Sequence, residues 1–409
     1  MLHPRRSARR SPNGRGIRGG IAILLAIVGW VSVSQTLAYA VRERDPAWAH
    51  RLASGDGRIT ALLADKLITA DVAPRQQRAA DALARSAVRQ DATAVPAVVV
   101  LGLGADLDGD ASRVGALFGY SERLSRRDVR TQIWAIENAV ARNDIPGALR
   151  HYDVALRTSR SAMDLLFPVL AAASAEPQIA SSLTRTLVAK PAWGASFVEY
   201  VAGSGPDARA SARLLRGLHS AGLLISEHAQ AVTISRLISH DALDDAWTYY
   251  ASVRPAAQRS QSRDPNFAGD RVEPSLFDWV PVNDGGITSS VQRGDAGGLF
   301  EFTAPGSVGG TVLQQAQMLP VGEYDLTGHS VGVDQPEGSR PYWVLTCRDG
   351  RELGRVVVTN SASANGAFAG HFTVPDRCPL QLLALVTRPS DAVSGSSGQV
   401  DRVQLRPAR

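Results

Sequence analysis

Residues 98–118, VVVLGLGADLDGDASRVGALF, and residues 132–155, QIWAIENAVARNDIPGALRHYDVA, carry one pattern twice at an offset of 34 residues. The first copy places Val98, Leu101-Gly102, Ala105, Gly109, Ala111, Val114 and Phe118 where the second places Gln132, Ala135-Ile136, Ala139, Asn143, Ile145, Ala148 and Tyr152, followed by Ala155. Small and apolar residues recur at steps of three and four, which is the helical period. A break at Asp106 to Asp110, and again at Asn143 to Ile145, divides each copy into two helices. A small residue ahead of an aromatic in the second helix lets helices touch closely and offers a ring to the next pair. The stretch predicts helical hairpins stacked in a row.

Spacing and residue types resemble the tetratricopeptide repeat, best in Leu101-Gly102, Gly109, Phe118 and the run Ala148, Tyr152, Ala155. Val114 stands where that family has alanine, and Gln132 where it has a large residue. The resemblance implies an all-α solenoid whose curved surface binds a protein or peptide. Working toward the N-terminus, Arg58 to Ala70 and residues 75–89 read as helices, with Ala80, Ala84 and Ala87 lying 34 residues before Val114, Phe118 and Ser121. Toward the C-terminus come Ala162 to Ala173, interrupted at Phe167-Pro168, then Ile179 to Ala189, Pro191 to Val201 and Asp207 to Ser220. A last pair repeats the pattern in Ile234, Leu237, a break at His240-Asp241, and then Leu243, Ala246 and Tyr250. Residues 45–255 thus read as a TPR-like solenoid of five or six hairpins, enough for a stable stack.

Before this region, Gly19 to Val41 runs 23 residues without a charge. At about 1.5 Å per residue, such a helix crosses a hydrocarbon core of about 30 Å. Residues 1–20 form a basic tail with Arg5, Arg6, Arg9, Arg10, Arg15 and Arg18 and no acid, which by the positive-inside rule predicts a cytoplasmic N-terminus. Residues 21–41 are then a single-pass anchor in a bacterial inner membrane, with the body in the periplasm. Ala38-Tyr39-Ala40 also fits a signal-peptide cleavage site, and either reading exports the body. Without those six arginines, 38 basic residues face 39 acidic ones, so the sequence pI near 9.5 is no nucleic-acid footprint.

Between Pro255 and Pro274 the composition turns to Gln, Ser, Arg, Asp and Asn, and residues 256–274 read as a linker. From residue 275 to 407 glycine rises and the period becomes two. Strands are expected at Phe277 to Val282, Gly286 to Gln292, Gly298 to Thr303, Thr311 to Met318, Gly322 to Val331, Tyr342 to Arg348, Gly354 to Thr359, Ala367 to Val374, Leu380 to Thr387 and Gln399 to Leu405. Ten short strands predict an antiparallel sandwich or jelly roll, making the chain a multidomain α and β protein. Cys347 and Cys378 both fall here, and an oxidising compartment would pair them; two buried thiols are the alternative.

Three rings are glycan-binding candidates: Trp279, Tyr342 and Trp343. An exposed aromatic on such a sheet can stack on a sugar, and the domain resembles carbohydrate-binding modules in general pattern, although rings of this kind more often fill a core. Tyr342 and Trp343 are neighbours on one strand, so they face opposite sides. Asp106, Asp108 and Asp110 alternate like a calcium loop, but Ala111 and Leu117 replace the glycine and glutamate such a loop requires, and capping is the expected role. Asp128 has the same expectation at the next helix. The eight histidines stand at no zinc spacing with cysteine, and no cofactor or metal is expected. No nucleophile elbow, phosphate loop or His-Glu-x-x-His motif occurs. The leading expectation is a noncatalytic envelope adaptor, docking protein on the solenoid and polysaccharide on the sandwich. Its layout resembles accessory proteins of exopolysaccharide assembly. Two alternatives are a glycan-processing enzyme using acids among Asp278, Glu301, Asp325 and Asp349, and a sandwich that only caps the last hairpin.

Overall fold

The computed structural model describes residues 13–68, 73–269, 272–294, 297–363, 365–390 and 395–408. Residues 1–12 of the basic tail and Ala70 at the end of the first expected body helix lie outside them. Among the described residues, fourteen helices precede two antiparallel sheets, and the chain divides into two compact units between Met163 and Asp164.

The first unit holds α1 (Asn13–Val41), α2 (Pro46–Leu52), α3 (Gly57–Lys66), α4 (Pro74–Gln90), α5 (Val95–Leu107), α6 (Ala111–Leu124), α7 (Val129–Ala141) and α8 (Ile145–Thr158). Asp45, Asp56, Asp110, Asp128 and Asp144 each accept backbone N–H groups from the first turn of the helix that follows. These caps satisfy donors that have no partner inside the helix.

Two hairpin turns share one backbone. Gly109 and Asn143 both have positive φ, 72° and 56°. The next N–H reaches five residues back in each, from Asp110 to the Ala105 carbonyl at 3.0 Å and from Asp144 to that of Ala139 at 2.9 Å. This closure needs a left-handed residue, which glycine and asparagine adopt most readily.

Packing follows the small residues. Leu101 and Gly102 are buried, and a Cβ on Gly102 would stand 2.9 Å from the Phe118 ring. That ring in turn stacks on Trp134 at 5.2 Å. On α8, Ala148, Tyr152 and Ala155 are buried, and desolvation raises the Tyr152 phenol above its ordinary pKa. Gly102→Val is expected to destabilise the first unit by about 1–3 kcal/mol through overpacking. Gly115→Ala, with open space around its Cβ, should gain about 0.8–1 kcal/mol in helix propensity. Denaturant unfolding of the full chain measures both, and a neutral Gly102→Val would remove the close contact as a determinant.

In the second unit, α9 (Ser161–Ala173) is followed by α10 (Pro177–Val188), α11 (Gly194–Ser204), α12 (Ala208–Ser220), α13 (Glu227–Ser239) and α14 (Leu243–Val253). The break expected at Phe167-Pro168 does not occur, and α9 continues through Pro168. Proline removes one helical hydrogen bond, while Leu166, Phe167, Leu170 and Ala171 bury a continuous face on either side of it. The α13–α14 turn repeats the earlier backbone, with Asp241 at φ 58° and Ala242 N–H on the Leu237 carbonyl at 2.8 Å.

Ten strands follow: β1 (Val280–Pro281), β2 (Thr288–Gly294), β3 (Gly297–Ala304), β4 (Gly310–Gln317), β5 (Gly322–Val331), β6 (Tyr342–Cys347), β7 (Glu352–Val357), β8 (Ala367–Val374), β9 (Gln381–Thr387) and β10 (Ser396–Pro407). Their orders are β1-β4-β9-β6-β7 and β2-β3-β10-β5-β8. β3, β4, β5 and β6 pair antiparallel with β10, β9, β8 and β7, as in one long hairpin. Rolling that hairpin up brings β10 beside β5 and β9 beside β6, which is a jelly roll. Inward residues such as Phe300, Phe302, Leu326, Leu345, Leu385 and Val403 form its core. Cys347 and Cys378 are joined by a disulfide.

Residues 262–267 of the segment expected to be a linker are part of the sandwich. Ser262 and Leu405 exchange hydrogen bonds, Val403 donates to the Pro265 carbonyl, and Phe267 enters the core. Gly298 makes room for this crossing, since a Cβ there would overlap the Phe267 backbone. The segment's composition reads as a linker because polar groups such as Ser262 and Arg263 pair with strands distant in sequence, a partnership that leaves no local period. The boundary expected at 255 is likewise bridged. Phe277 meets Tyr250 at 5.3 Å and Trp247 at 5.6 Å, so the expected strand from Phe277 shrinks to β1.

Candidate functional site

Strand β6 decides which ring is accessible. Trp343 points inward and is fully buried, with its ring 5.7 Å from Trp279 and 6.4 Å from Phe368. Trp279 is also a core ring, and its indole donates to the Asp264 carbonyl at 3.0 Å. Neither can stack on a sugar, which corrects the expectation for both. Alternation along the strand leaves Tyr342 on the outer face and half-buried.

Tyr342 lies opposite Val357 on β7 and Val386 on β9. Two guanidinium groups approach its ring, Arg355 at 4.7 Å and Arg388 at 4.6 Å from the centroid. The register places them on different sides along the strand. Arg355 lies opposite Val344, and Arg388 follows Val386 by two residues past the start of β6. The ring is clasped between two cations, an arrangement favoured by its quadrupole. Arg355 donates Nε and Nη2 to Glu352 at 2.6 and 2.8 Å, and those bonds hold the Glu352 carboxyl below the usual range. Arg388 donates to the Gly338 carbonyl at 3.3 Å and has no carboxylate partner among the described residues. The exposed Val357 and the half-buried Val386, both opposite Tyr342, make the accessible face beside the ring apolar, while Val344 and Ala384 next to them are covered. Such a surface can hold a sugar ring edge against aliphatic groups while a fork-shaped cation meets its carboxylate. Neither arginine stood out in the sequence, because one lies on a neighbouring strand and the other just past a strand end.

Each of the four acids considered for catalysis already has a partner, and Glu301 and Asp325 stand far apart. Asp278 accepts from the Tyr250 hydroxyl at 2.9 Å and from Ser275, so it locks the chain before β1. Glu301 accepts from Ser290 and Gln292, Asp325 meets His371 Nδ1 at 2.6 Å, and Asp349 accepts from Arg351 N–H inside the β6–β7 turn. Glu301 and Asp325 lie against β10 at Gln399 and Arg406. Seven residues of strand separate these positions, about 23 Å, against the roughly 5–9.5 Å of a glycosidase pair.

A second concavity, of about 720 Å³, lies within this unit beside residues 256–274. Tyr250, Arg254, Gln261, Asp278, Ser290 and Gln404 are among its walls. Burial, with the nearby Asp278 carboxylate, pushes the Tyr250 phenol well above its ordinary pKa, so it remains a donor to Asp278. Tyr250 and Ala246, expected to pack a repeat, are buried at this junction, where the ring meets Phe277.

No family model and no curated protein matches the chain. Among solved structures, it is similar to the enzymatically active domain of bacteriophage CBA120 tailspike protein 4, at 10% identity over 32% of this chain and 20% of that one, with a TM-score of 0.23. It is also similar to a Glycosylation Associate Protein complex from Streptococcus agalactiae, at 10% identity over 31% of this chain and 43% of that one, with a TM-score of 0.21. The chain spans less than half the length of each, and likeness at this level carries no functional argument.

Proposed function

We propose that this chain is a noncatalytic adaptor tethered to a bacterial inner membrane, its body periplasmic, contributing to envelope or exopolysaccharide assembly. Its helical hairpins, which resemble tetratricopeptide repeats, dock a protein or peptide. Its jelly roll contacts an acidic glycan. The observation that carries this reading is the Arg355–Tyr342–Arg388 clasp on an apolar sheet face. Gly19–Val41, long and apolar enough to cross a membrane, supports the tether. The Trp247–Phe277 contact and the Arg348–Asp241 ion pair at 2.7 Å add a capping role, because they close the last hairpin with the sandwich.

Calorimetry of the full chain in detergent, titrated with a uronate-containing polysaccharide and with a neutral one, tests the glycan contact. Binding is expected for the acidic polymer only. Arg355→Gln with Arg388→Gln should weaken it by about tenfold or more, as two charge-assisted contacts would. Equal binding of the neutral polymer, or an unaffected double variant, would remove the clasp from recognition.

A further inference from the structure

The end of α1 is built into the first helical hairpin. Ala38 is fully buried in a cluster with Ala49 and Ala53, from the α2 region, and Ile59 of α3, while Val41 and Leu52 pack against it. The Tyr39 hydroxyl donates to Asp56 at 2.8 Å, and the Arg42 guanidinium lies 4.9 Å from the Tyr39 ring. Ser34 and Gln35, a turn earlier, are already partly covered.

This packing sets a depth. A core of about 30 Å takes about 20 helical residues. Counted from Gly19, the first residue after Arg18, that length ends at Ala38, the residue enclosed by α2 and α3. The two helices therefore stand level with the edge of the hydrocarbon, where the headgroup layer is only about 5–7 Å thick. Their exposed groups suit that layer. Trp48 is 36% exposed on α2, and Arg44 and Arg51 are exposed beside it with no carboxylate partner among the described residues. Of the nearby acids, Asp45 and Asp56 are occupied as helix caps, which leaves Glu43; Arg58 is paired with Asp91.

We infer that α2 and α3 form a lipid-docking platform, with Trp48 seated in the headgroup layer and Arg44 and Arg51 on lipid phosphates. The inference rests on the proposed membrane tether. A hairpin fixed to both the anchor and the lipid surface would hold the following helices at a set height above the membrane. A tether free at its junction would let them swing.

The test uses full-length protein in bilayers containing phosphatidylglycerol. Both native cysteines are in the disulfide, so a nitroxide label reacts only with a new thiol. Its depth is read from relative accessibility to oxygen and to a water-soluble nickel complex. Val28→Cys is expected at hydrocarbon depth and Ala47→Cys at phosphate depth. Combining Ala47→Cys with Trp48→Ala, Arg44→Gln and Arg51→Gln should lower its oxygen-to-nickel ratio at least about threefold as the platform lifts. An Ala47→Cys label in bulk water, with Val28→Cys in hydrocarbon, would overturn the platform and leave the tether standing. A Val28→Cys label in water would overturn both. A label that stays at phosphate depth in the combined variant would overturn the roles of those three side chains.

Discussion

Arg263→Met is expected to destabilise the second unit by about 3–5 kcal/mol, since it leaves several buried acceptors unsatisfied at about 1–3 kcal/mol each. Arg263 is buried, and its guanidinium donates to the Phe277 carbonyl through Nε and Nη2 at 3.0 and 2.9 Å, to Gln317 Oε1 at 2.8 Å and to the Ala316 carbonyl. Its own N–H donates to Gln315, and the rings of Trp247 and Phe277 lie 5.7 Å away. Desolvation lowers its pKa to about 10, which leaves it charged at neutral pH. Methionine at 263 removes the guanidinium donors and strands the Phe277 and Ala316 carbonyls and the Gln317 amide oxygen in a dry site, while Gln315 keeps its bonds to the main chain of residue 263. Arg263→Lys keeps the charge without the fork, and should fall between the two. Denaturant unfolding of the full chain measures the effect, and parental stability in Arg263→Met would show that the cluster holds nothing.

Loss of the Cys347–Cys378 bridge should cost the same unit about 3.7 kcal/mol, the chain-entropy value for the 31-residue separation it closes. The bridge ties the end of β6 to the segment entering β9, strands that already pair at the sheet centre. Thermal unfolding with and without reductant, and of the Cys347→Ala/Cys378→Ala variant, is the measurement. The first unit has no cysteine, so its unfolding should not move. A cysteine-free variant with unchanged melting would refute the assignment of stability to this bond.

Local regularities were legible wherever neighbours in sequence are also neighbours in space. The 34-residue offset located two turns that share a left-handed residue, Gly109 and Asn143, because a helix can reverse tightly only through such a residue. Alternation located ten strands, and for β5 and β8 both ends as well. Pro168 is the local signal that failed, since burial on both sides of it outweighs one missing hydrogen bond.

The candidate site was legible by half. The Tyr342-Trp343 pair required one ring inside and one outside, and alternation alone has no preferred side. The choice comes from the tertiary packing, where Phe368 of the opposing sheet and Trp279, just before β1, enclose the larger ring. Arg355 and Arg388 reach Tyr342 from β7 and from the end of β9, so their convergence exists only after strand pairing.

The sequence by itself determined an apolar helix, a run of helical hairpins and an antiparallel jelly roll, because each follows from a periodicity of 3.6 or 2 along the chain. Only the tertiary structure decided that residues 262–267 belong to the sandwich, that Tyr342 is the accessible ring, and that the last hairpin joins the second unit. Each of those outcomes depends on polar or aromatic groups finding partners tens of residues away, and no local period records such a partner.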